Sequence, residues 1–483
     1  MSTSVRSLEP APLWNYFAGL NEIPRPSKKE EKAVAFIRAF GEKLGLPVET
    51  DSAGNTIIRK PGSPGHEQAT PVILQSHLDM VHQKNSDTSF DFASQGIDMF
   101  IEDDWVKARG TTLGADNGIG VAAIMSVLAA SDIAHPPLEA LFTVDEETGM
   151  TGALALEAGR LQGKILLNLD TEEDNELTIG CAGGIDVTAG GSYTSTPAMG
   201  GKAWQLMIRG LTGGHSGVDI HRGRANANKL MNRLLLQLTD DLNIKLASVD
   251  GGSLRNAIPR ESTAVLVAGD EQETALLEAV KRYEKQVQSE YHLTDAALQV
   301  TLTAINDPGE VWEPTFQNQF LRSVQSCPNG IYRMSPGIPG LVQSSNNIAR
   351  ILVSGGKWQV QCLTRSSVDS EKYDLARSIA AAFELAGGSI SYSNSYPGWE
   401  PLPAAPIVTL MKSIYQERFG GEPHVNAVHA GLECGILGSH YPDMQMISFG
   451  PTILGAHSPE ERVQISSVQK FWGYLLEILR RIP

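Results

Sequence analysis

The sequence predicts an α/β fold interrupted by an α+β insert, and three observations carry that prediction. Short apolar runs at Val72–Leu74, Leu138–Val144 and Ile165–Leu169 are bounded by polar, Gly or Pro residues. Such runs suit strands buried on both faces of a sheet. Helical periodicity alternates with them, as in Ile119, Ala122, Ile124, Met125 and Leu128 of the stretch Gly118–Ala130. The texture then changes near residue 183: of eight Gly-Gly pairs, seven start between Gly183 and Gly387. That density of turns predicts antiparallel strands.

Taken in order, Ser27-Lys-Lys-Glu30 reads as a capping box, with the serine side chain closing the first turn of a helix. Ala33, Val34, Phe36, Ile37, Phe40 and Leu44 follow at helical spacing, and Gly45 is a natural stop. The insert offers strand-like Trp204–Gly210 and Trp358–Leu363, with helical Asn226–Leu238 and Glu271–Tyr291. After Tyr396-Pro-Gly-Trp399 the alternation returns, with a helix at Ile407–Phe419, a strand at Met444–Phe449 and a helix at Val468–Ile482. The expected division is residues 1–185 and 398–483 for one domain and 186–397 for the inserted one.

Composition removes several functions. A chain of 483 residues with 41% hydrophobic and 19% charged residues is globular rather than disordered. Its 39 basic against 55 acidic residues leave a net charge of −16. That charge repels phosphate backbones, and no concentrated basic patch offsets it, so no nucleic-acid partner is expected. The longest nearly apolar stretch, Ile119–Ala130, falls short of the ~20 residues that span a bilayer. The opening MSTSVRSLEPAPLW has no apolar signal core, so a cytoplasmic protein is expected. Cys181, Cys327, Cys362 and Cys434 lie too far apart for a thiolate zinc motif.

Five segments carry chemistry. In Gln75-Ser-His77-Leu-Asp79, the period of a strand puts His77 and Asp79 on one face. The carboxylate can then orient a ring whose other nitrogen binds metal. Alone, that pair reads as an ordinary polar strand end. Gly110-Thr-Thr-Leu-Gly114-Ala-Asp116-Asn117-Gly118 enters a helix, where glycines can cradle phosphate. Neither nucleotide-loop spacing nor its lysine is present, and Asp116 would repel an anion, so a cation ligand is the better reading. In Asp145-Glu146-Glu147, adjacent glutamates diverge, so one can ligate metal while the other acts as a base. Asn168-Leu-Asp170 ends a further strand, with Glu172, Glu173, Asp174 and Glu176 behind it read as a solvated face. Gly455-Ala-His457-Ser-Pro459 follows the last strand candidate.

Together His77, Asp116, Glu147, Asp170 and His457 offer nitrogen and oxygen donors without sulfur. That set is too large for one catalytic zinc and suits two metals about 3.5–4 Å apart sharing a carboxylate. Several of the donors follow strands, where open α/β sheets bind their ligands.

The segments HLDMV, KARGTTLGADNGIG, LNLD, GCAGGID, GGHSG, RNAIPRE, YPGW, HAGLECG and GAHSP, with the Glu-Glu pair, carry a resemblance over essentially the whole chain. The sequence resembles the co-catalytic zinc exopeptidases, a family that includes carboxypeptidase G, peptidase T, aminoacylase and the carnosinases. The resemblance implies a zinc-exopeptidase-like catalytic domain with a mixed central sheet, plus an inserted α+β lid. It implies two zinc ions per chain, with cobalt or manganese as possible substitutes. Asp116 would bridge them, His77 and Asp170 would bind one, and Glu147 and His457 the other. Asp79 would orient His77, Glu146 would be the general base, and the Asp116–Asn117 peptide would be cis. From the lid, His215 would stabilise the oxyanion, and Asn256 and Arg365 would hold the substrate's terminal carboxylate. Gly431 would contact the substrate near its N-terminal end. The implied reaction is hydrolysis of dipeptides, Xaa-His and β-alanyl-histidine among them, with a small peptide as substrate; related enzymes are often homodimers, and a homodimer is expected here. Two rivals remain at this point: an N-acyl amino acid amidohydrolase of the same fold, and a non-catalytic peptide-binding protein. The second would most cheaply have lost Glu146 or a metal ligand, yet every such position is filled.

Overall fold

Strands Val72–His77, Leu138–Thr143 and Ile165–Asn168 are buried along their whole length, as short runs of Val, Ile, Leu and Phe require. Val72–His77 runs parallel to both of the others, with His77 opposite Thr143 and Gln75 opposite Asn168. Their carboxyl ends therefore finish level with one another. The computed structural model, which describes residues 4–483, extends them into an eight-stranded mixed sheet. Its order is Val48–Thr50, Thr56–Lys60, Leu138–Thr143, Val72–His77, Ile165–Asn168, Gln445–Ser448, Glu176–Cys181, His424–Val428. Gln445–Ser448 is parallel to Ile165–Asn168, while Thr56–Lys60 is antiparallel to Leu138–Thr143.

The helix Ala115–Ala129 is apolar on all sides and almost wholly buried. Asp116 and Asn117 depart from helical geometry, and the peptide between them is cis. Regular helix therefore starts at Gly118, where the sequence places it. Gly120 is required by close approach: a Cβ there would meet Ser76 Oγ and would lie 2.9 Å from Leu169 O.

One expectation fails. The helix after Ser27 starts only at Glu31, with Glu30 as N-cap and no side-chain cap bond. Lys28 sits at φ 67, which turns Ser27 away from the helix. Ser27 Oγ instead donates to Asp79 Oδ2 at 2.8 Å. Glu30 Oε1 accepts from Lys28 N at 2.7 Å and Asp145 N at 3.1 Å. Ser27 is thus taken by a distant carboxylate, and Glu30 by Lys28 N beside it and Asp145 N from afar. The stop at Gly45 holds: it has φ 72, and Leu46 N donates to Gly41 O.

A second, four-stranded sheet pairs Ile453–Leu454 with Arg462–Gln464, then Trp105–Ala108 and Met99–Glu102. His457 lies on the loop joining the first two of these strands. The final helix, Ile465–Arg481, buries Val468, Phe471, Leu475, Ile478 and Leu479 on one face.

The chain divides into two compact units. One takes the chain up to Gly180 with Trp399–Ala427 and Leu432–Pro483, and the other takes Cys181–Gly398 with Val428–Gly431. The second is built on a nine-stranded sheet whose pairings are antiparallel. Helices Ala227–Leu242, Glu273–Glu290, Pro314–Ser326 and Asp369–Glu384 belong to the same unit. Leu206, Leu234, Leu266, Val280, Phe320, Val360 and Phe383 share its core.

Candidate metal centre

The carboxyl ends of the parallel strands bring all five expected donors together. His77 ends its strand almost wholly buried, with Nδ1 3.2 Å from Asp79 Oδ1. The same Asp79 carboxylate accepts from Glu146 N at 3.0 Å, Glu147 N at 3.2 Å and Ser27 Oγ. Asp79 therefore fixes both the ring of His77 and the turn that carries the two glutamates. With Nδ1 so engaged, His77 Nε2 points the other way, 3.1 Å from Asp116 Oδ1 and 3.3 Å from Asp170 Oδ1.

Asp116 faces two ways. Its second oxygen, Oδ2, lies 3.3 Å from His457 Nε2, which is also 3.0 Å from Glu147 Oε2. One carboxylate thus offers an oxygen to each of two trios, His77–Asp116–Asp170 and Asp116–Glu147–His457. Glu146 falls in a further group with His77 and Glu147. The Asp170 side chain is held from behind by Asn117 Nδ2, which also donates to Leu169 O at 2.9 Å. His457 is placed by a loop at φ 66 and is half exposed.

The electrostatics fit cations. Burial opposes charge on His77, yet Asp170, Asp116 and Asp79 together hold its pKa well above the usual range. His457 is pushed up to about 11 by its contacts with Asp116 and Glu147. Burial raises Glu146 well above the ordinary carboxylate range, and the charges of Asp170, Glu433 and Glu147 add to it against the pull of His77. Glu147 is likewise raised, by burial first, and its Oε1 is buried without a partner. Crowded carboxylates that raise one another, beside histidines they hold towards the charged form, mark a site whose negative charge a pair of divalent ions would offset. The donor chemistry, the orphaned Glu147 oxygen and the two-sided Asp116 fit two such ions.

A nearby acidic group, Glu30, Asp79 and Asp145, is different. The chain's own donors occupy it: Lys28 N and Asp145 N bind Glu30, and Thr148 and Thr151 hydroxyls bind Asp145.

Sequence reasoning missed several residues. Glu172 is not part of a solvated face; half-buried, it is pushed up to about 8 by burial and then by the charge of Asp116, with Asp170 and Glu461 adding. Glu433 lies under the sheet face, where Gln75 Nε2 and Thr143 Oγ1 each donate to it at 2.7 Å. Burial raises it to about 8. Only its place two residues after Gly431 in the HAGLECG segment could have drawn notice. Arg25 and Glu461, both buried, brace the backbone of the ligand loops.

The other expected residues belong to the inserted unit. His215 Nδ1 accepts from Gly217 N at 3.2 Å and Val218 N at 3.1 Å. Those donors place the ring proton on Nε2. Asn256 is exposed, and its backbone carbonyl accepts from Ser216 N at 2.7 Å, holding the same turn. Arg365 is buried and donates to Tyr396 Oη at 2.9 Å. Among the described residues its Nε has no partner, and no carboxylate pairs with its guanidinium. Burial, then the Arg365 charge, lower the pKa of His215. The same two causes push His429 down to about 3, with its Nε2 2.7 Å from Ser345 Oγ. Gly431 lies on the short loop after His429, where Val428 O and Ala430 O both accept from Ala182 N.

Residues 73–481 match the model of peptidase family M20/M25/M40. The chain is 41% identical over 482 residues to the cytosol non-specific dipeptidase of Escherichia coli, covering 100% of this chain and 99% of that one. The crystal structure of aminoacylhistidine dipeptidase from Vibrio alginolyticus superposes with a TM-score of 0.95 at 42% identity, covering 100% and 98% of the two chains. Aminopeptidase PepT from Bacillus cereus shares the fold at a TM-score of 0.58 and 16% identity, over 98% of this chain and 99% of that one.

Proposed function

Because the chain belongs to peptidase family M20/M25/M40, a family of peptide hydrolases, we propose that it is a two-metal dipeptidase acting on small peptides, Xaa-His and β-alanyl-histidine among them. The reading rests above all on Asp116, whose two oxygens serve two separate His-carboxylate trios. The dipeptidase names of the Escherichia coli and Vibrio relatives favour a dipeptide over an N-acyl amino acid. The full complement of ligands and Glu146 argues against a silent binding protein.

His77 and Asp170 would hold one ion, Glu147 and His457 the other, with Asp116 between them. Those ions, zinc in this reading with cobalt or manganese as substitutes, would supply Lewis acidity for the reaction when bound. Asp79 keeps His77 in the tautomer that leaves Nε2 free. Glu146, raised above an ordinary carboxylate, is suited to take the proton of the attacking water and return it to the leaving amine. His215, with its proton on Nε2, is suited to donate to oxygen as negative charge develops there. Arg365 offers a buried guanidinium fork to the substrate's terminal carboxylate, aided by Asn256, and Gly431 contacts the N-terminal end. The inserted domain, residues 186–397, supplies His215, Asn256 and Arg365. A cytoplasmic location follows the name of the Escherichia coli relative. Assembly as a homodimer completes the proposal, and sedimentation checks it.

The test is hydrolysis of a dipeptide panel that includes β-alanyl-histidine, by chelated protein with and without added zinc, beside Glu146→Ala. Cleavage restored by metal and lost in the variant is the expected result. No cleavage by protein carrying two metal equivalents would redirect the search to other amides. Absence of metal binding would overturn the two-metal reading.

A further inference from the structure

Helices begin with backbone N–H groups that have no partner within the helix, and a local side chain usually caps them. The turn Leu113–Asp116, just before the regular helix that starts at Gly118, has no side-chain cap of its own, since Gly114 stands at φ 70 in the cap position. The four N–H groups of Leu113, Gly114, Ala115 and Asp116 turn instead to one carboxylate from far along the chain. Glu461 Oε2 accepts from Leu113 N at 2.7 Å and Gly114 N at 2.9 Å. Glu461 Oε1 accepts from Ala115 N at 2.7 Å and Asp116 N at 3.3 Å. The side chain is 2% exposed. Among the described residues, no Lys, Arg or His forms an ion pair with it. Its hydrogen bonds come from backbone amides, and the buried Arg25 guanidinium acts on it through space.

The position of Glu461 in the chain gives this contact its meaning. It closes the loop that joins Ile453–Leu454 to Arg462–Gln464, and that loop carries His457. Glu461 N donates to Ser458 O at 3.0 Å, and Ser458 N to Gly455 O at 3.2 Å, so the loop is a short chain of turns. The carboxylate thus joins the backbone of Asp116 directly to the loop bearing His457. The opposite side of the same peptide run is also gripped. Gly114 O accepts from Arg25 Nη2 at 2.5 Å, while Arg25 Nη1 donates to Leu78 O at 3.1 Å and Asp79 O at 3.0 Å. A Cβ at Gly114 would lie 2.5 Å from that guanidinium, so glycine is needed for the clamp to close.

We propose that Glu461 is a positioning residue of the metal centre: by gathering the N–H groups of residues 113–116 it sets the bridging Asp116 relative to His457. This rests on the two-metal reading above. Glu461 belongs to neither trio of candidate ligands. It acts through Asp116 and His457, and mainly on the site those two share with Glu147. An amide cannot replace it. Glutamine has a single acceptor oxygen, and its NH2 would face two N–H donors.

The test uses the full-length protein with E461Q and E461A, stripped of metal and titrated with cobalt(II) in competition with a chromophoric chelator. Melting temperatures are taken with and without metal. The wild-type protein should bind two equivalents; if it does not, the two-metal reading has failed rather than this inference. In E461Q one of the two sites should weaken about ten- to a hundredfold, the range for partners that orient ligands. The visible cobalt bands of that site should shift, and the metal-free melting temperature should fall by no more than a few degrees, the cost of two N–H groups left without an acceptor. E461A should weaken the same site further. Two sites of wild-type affinity and spectrum in E461Q would overturn the inference. So would a metal-free variant that melts far below wild type or does not fold, since the carboxylate would then serve the fold alone.

Discussion

Histidines in the two regions are driven in opposite directions. In the candidate metal centre, His77 and His457 are held towards the charged form, the first well above its ordinary range and the second up to about 11. In the inserted unit, His215 is lowered and His429 is pushed down to about 3. Burial acts the same way on all four, always against the imidazolium. What differs is the company: carboxylates surround the first pair, while the Arg365 guanidinium stands near the second. The first pair is biased towards the imidazolium by the same carboxylates that could hold a cation. The second pair is already neutral, with ring nitrogens ready to donate or accept a hydrogen bond. Residue type alone therefore does not assign a histidine its role.

Three experiments break or sharpen that comparison. The largest effect should come from Glu146→Gln, which removes the base while leaving the ligands in place. It should lower kcat by roughly a thousandfold, about 4 kcal/mol, within the range for a general base. Metal content, measured by atomic emission, should not change. Retention of more than about a tenth of wild-type kcat would exclude Glu146 as the base.

The second concerns acid. His429 titrates near 3 in the folded protein, against about 6.5 for a free imidazole. The folded state thus prefers the neutral ring. Its contribution is complete above about pH 6.5 and is lost as pH falls towards 3. Between about pH 7 and pH 4.5 the loss should approach 2–3 kcal/mol in urea unfolding. His429→Asn should remove that part of the slope while leaving the acid sensitivity of the metal centre. Equal slopes in the two proteins would show that burial of His429 does not govern it.

The smallest expected effect is that of Arg365→Lys. Exchanging a planar fork for a point charge should raise KM for dipeptides about tenfold with little change in kcat. Dipeptide amides, which lack the terminal carboxylate, should not distinguish the two enzymes. A KM unaffected for the free acids would remove Arg365 from substrate binding.

Legibility in the sequence followed hydrophobicity. Val72–Leu74 and Leu138–Val144 announced buried strands because their neighbours are polar or turn-forming. The first runs on to His77 because buried Gln75 finds Thr143, Asn168 and Glu433 as partners. The helix at Asn226–Leu238 and the strand at Trp204–Gly210 are present as Ala227–Leu242 and Lys202–Arg209. Val342–Ser354 was unreadable for the opposite reason. Its Gln343, Ser344, Ser345, Asn346 and Asn347 are all buried, and hydrogen bonds rather than apolar contacts hold them. The capping box at Ser27 misled because a buried Asp79 competes for the serine hydroxyl. Glu461 sits in an unremarkable Ser-Pro-Glu-Glu run, and no local pattern shows a carboxylate bound to amides some 345 residues earlier. Four of the candidate metal ligands were legible because His77 ends a strand, Asp170 follows one, and Asp116 and Glu147 open helices, while His457 stands in a loop.

The placing of Gln445–Ser448 has a consequence for the order in which the protein is made. Ile165–Asn168 and Glu176–Cys181 are close in sequence, yet in the sheet a strand synthesised some 270 residues later lies between them. At about 5–20 residues per second, the ribosome needs roughly 15 to 60 seconds to supply it. Throughout that interval the apolar edge of Ile165–Asn168 stands open as a template for stray strands. The stretch Cys181–Gly398 emerges in the meantime. His77, Asp116, Glu147 and Asp170 exist early as an incomplete set of ligands, and His457 arrives only after the sheet's slot has been filled. In the two-metal reading proposed above, a nascent chain would therefore complete its second site only after its sheet is whole.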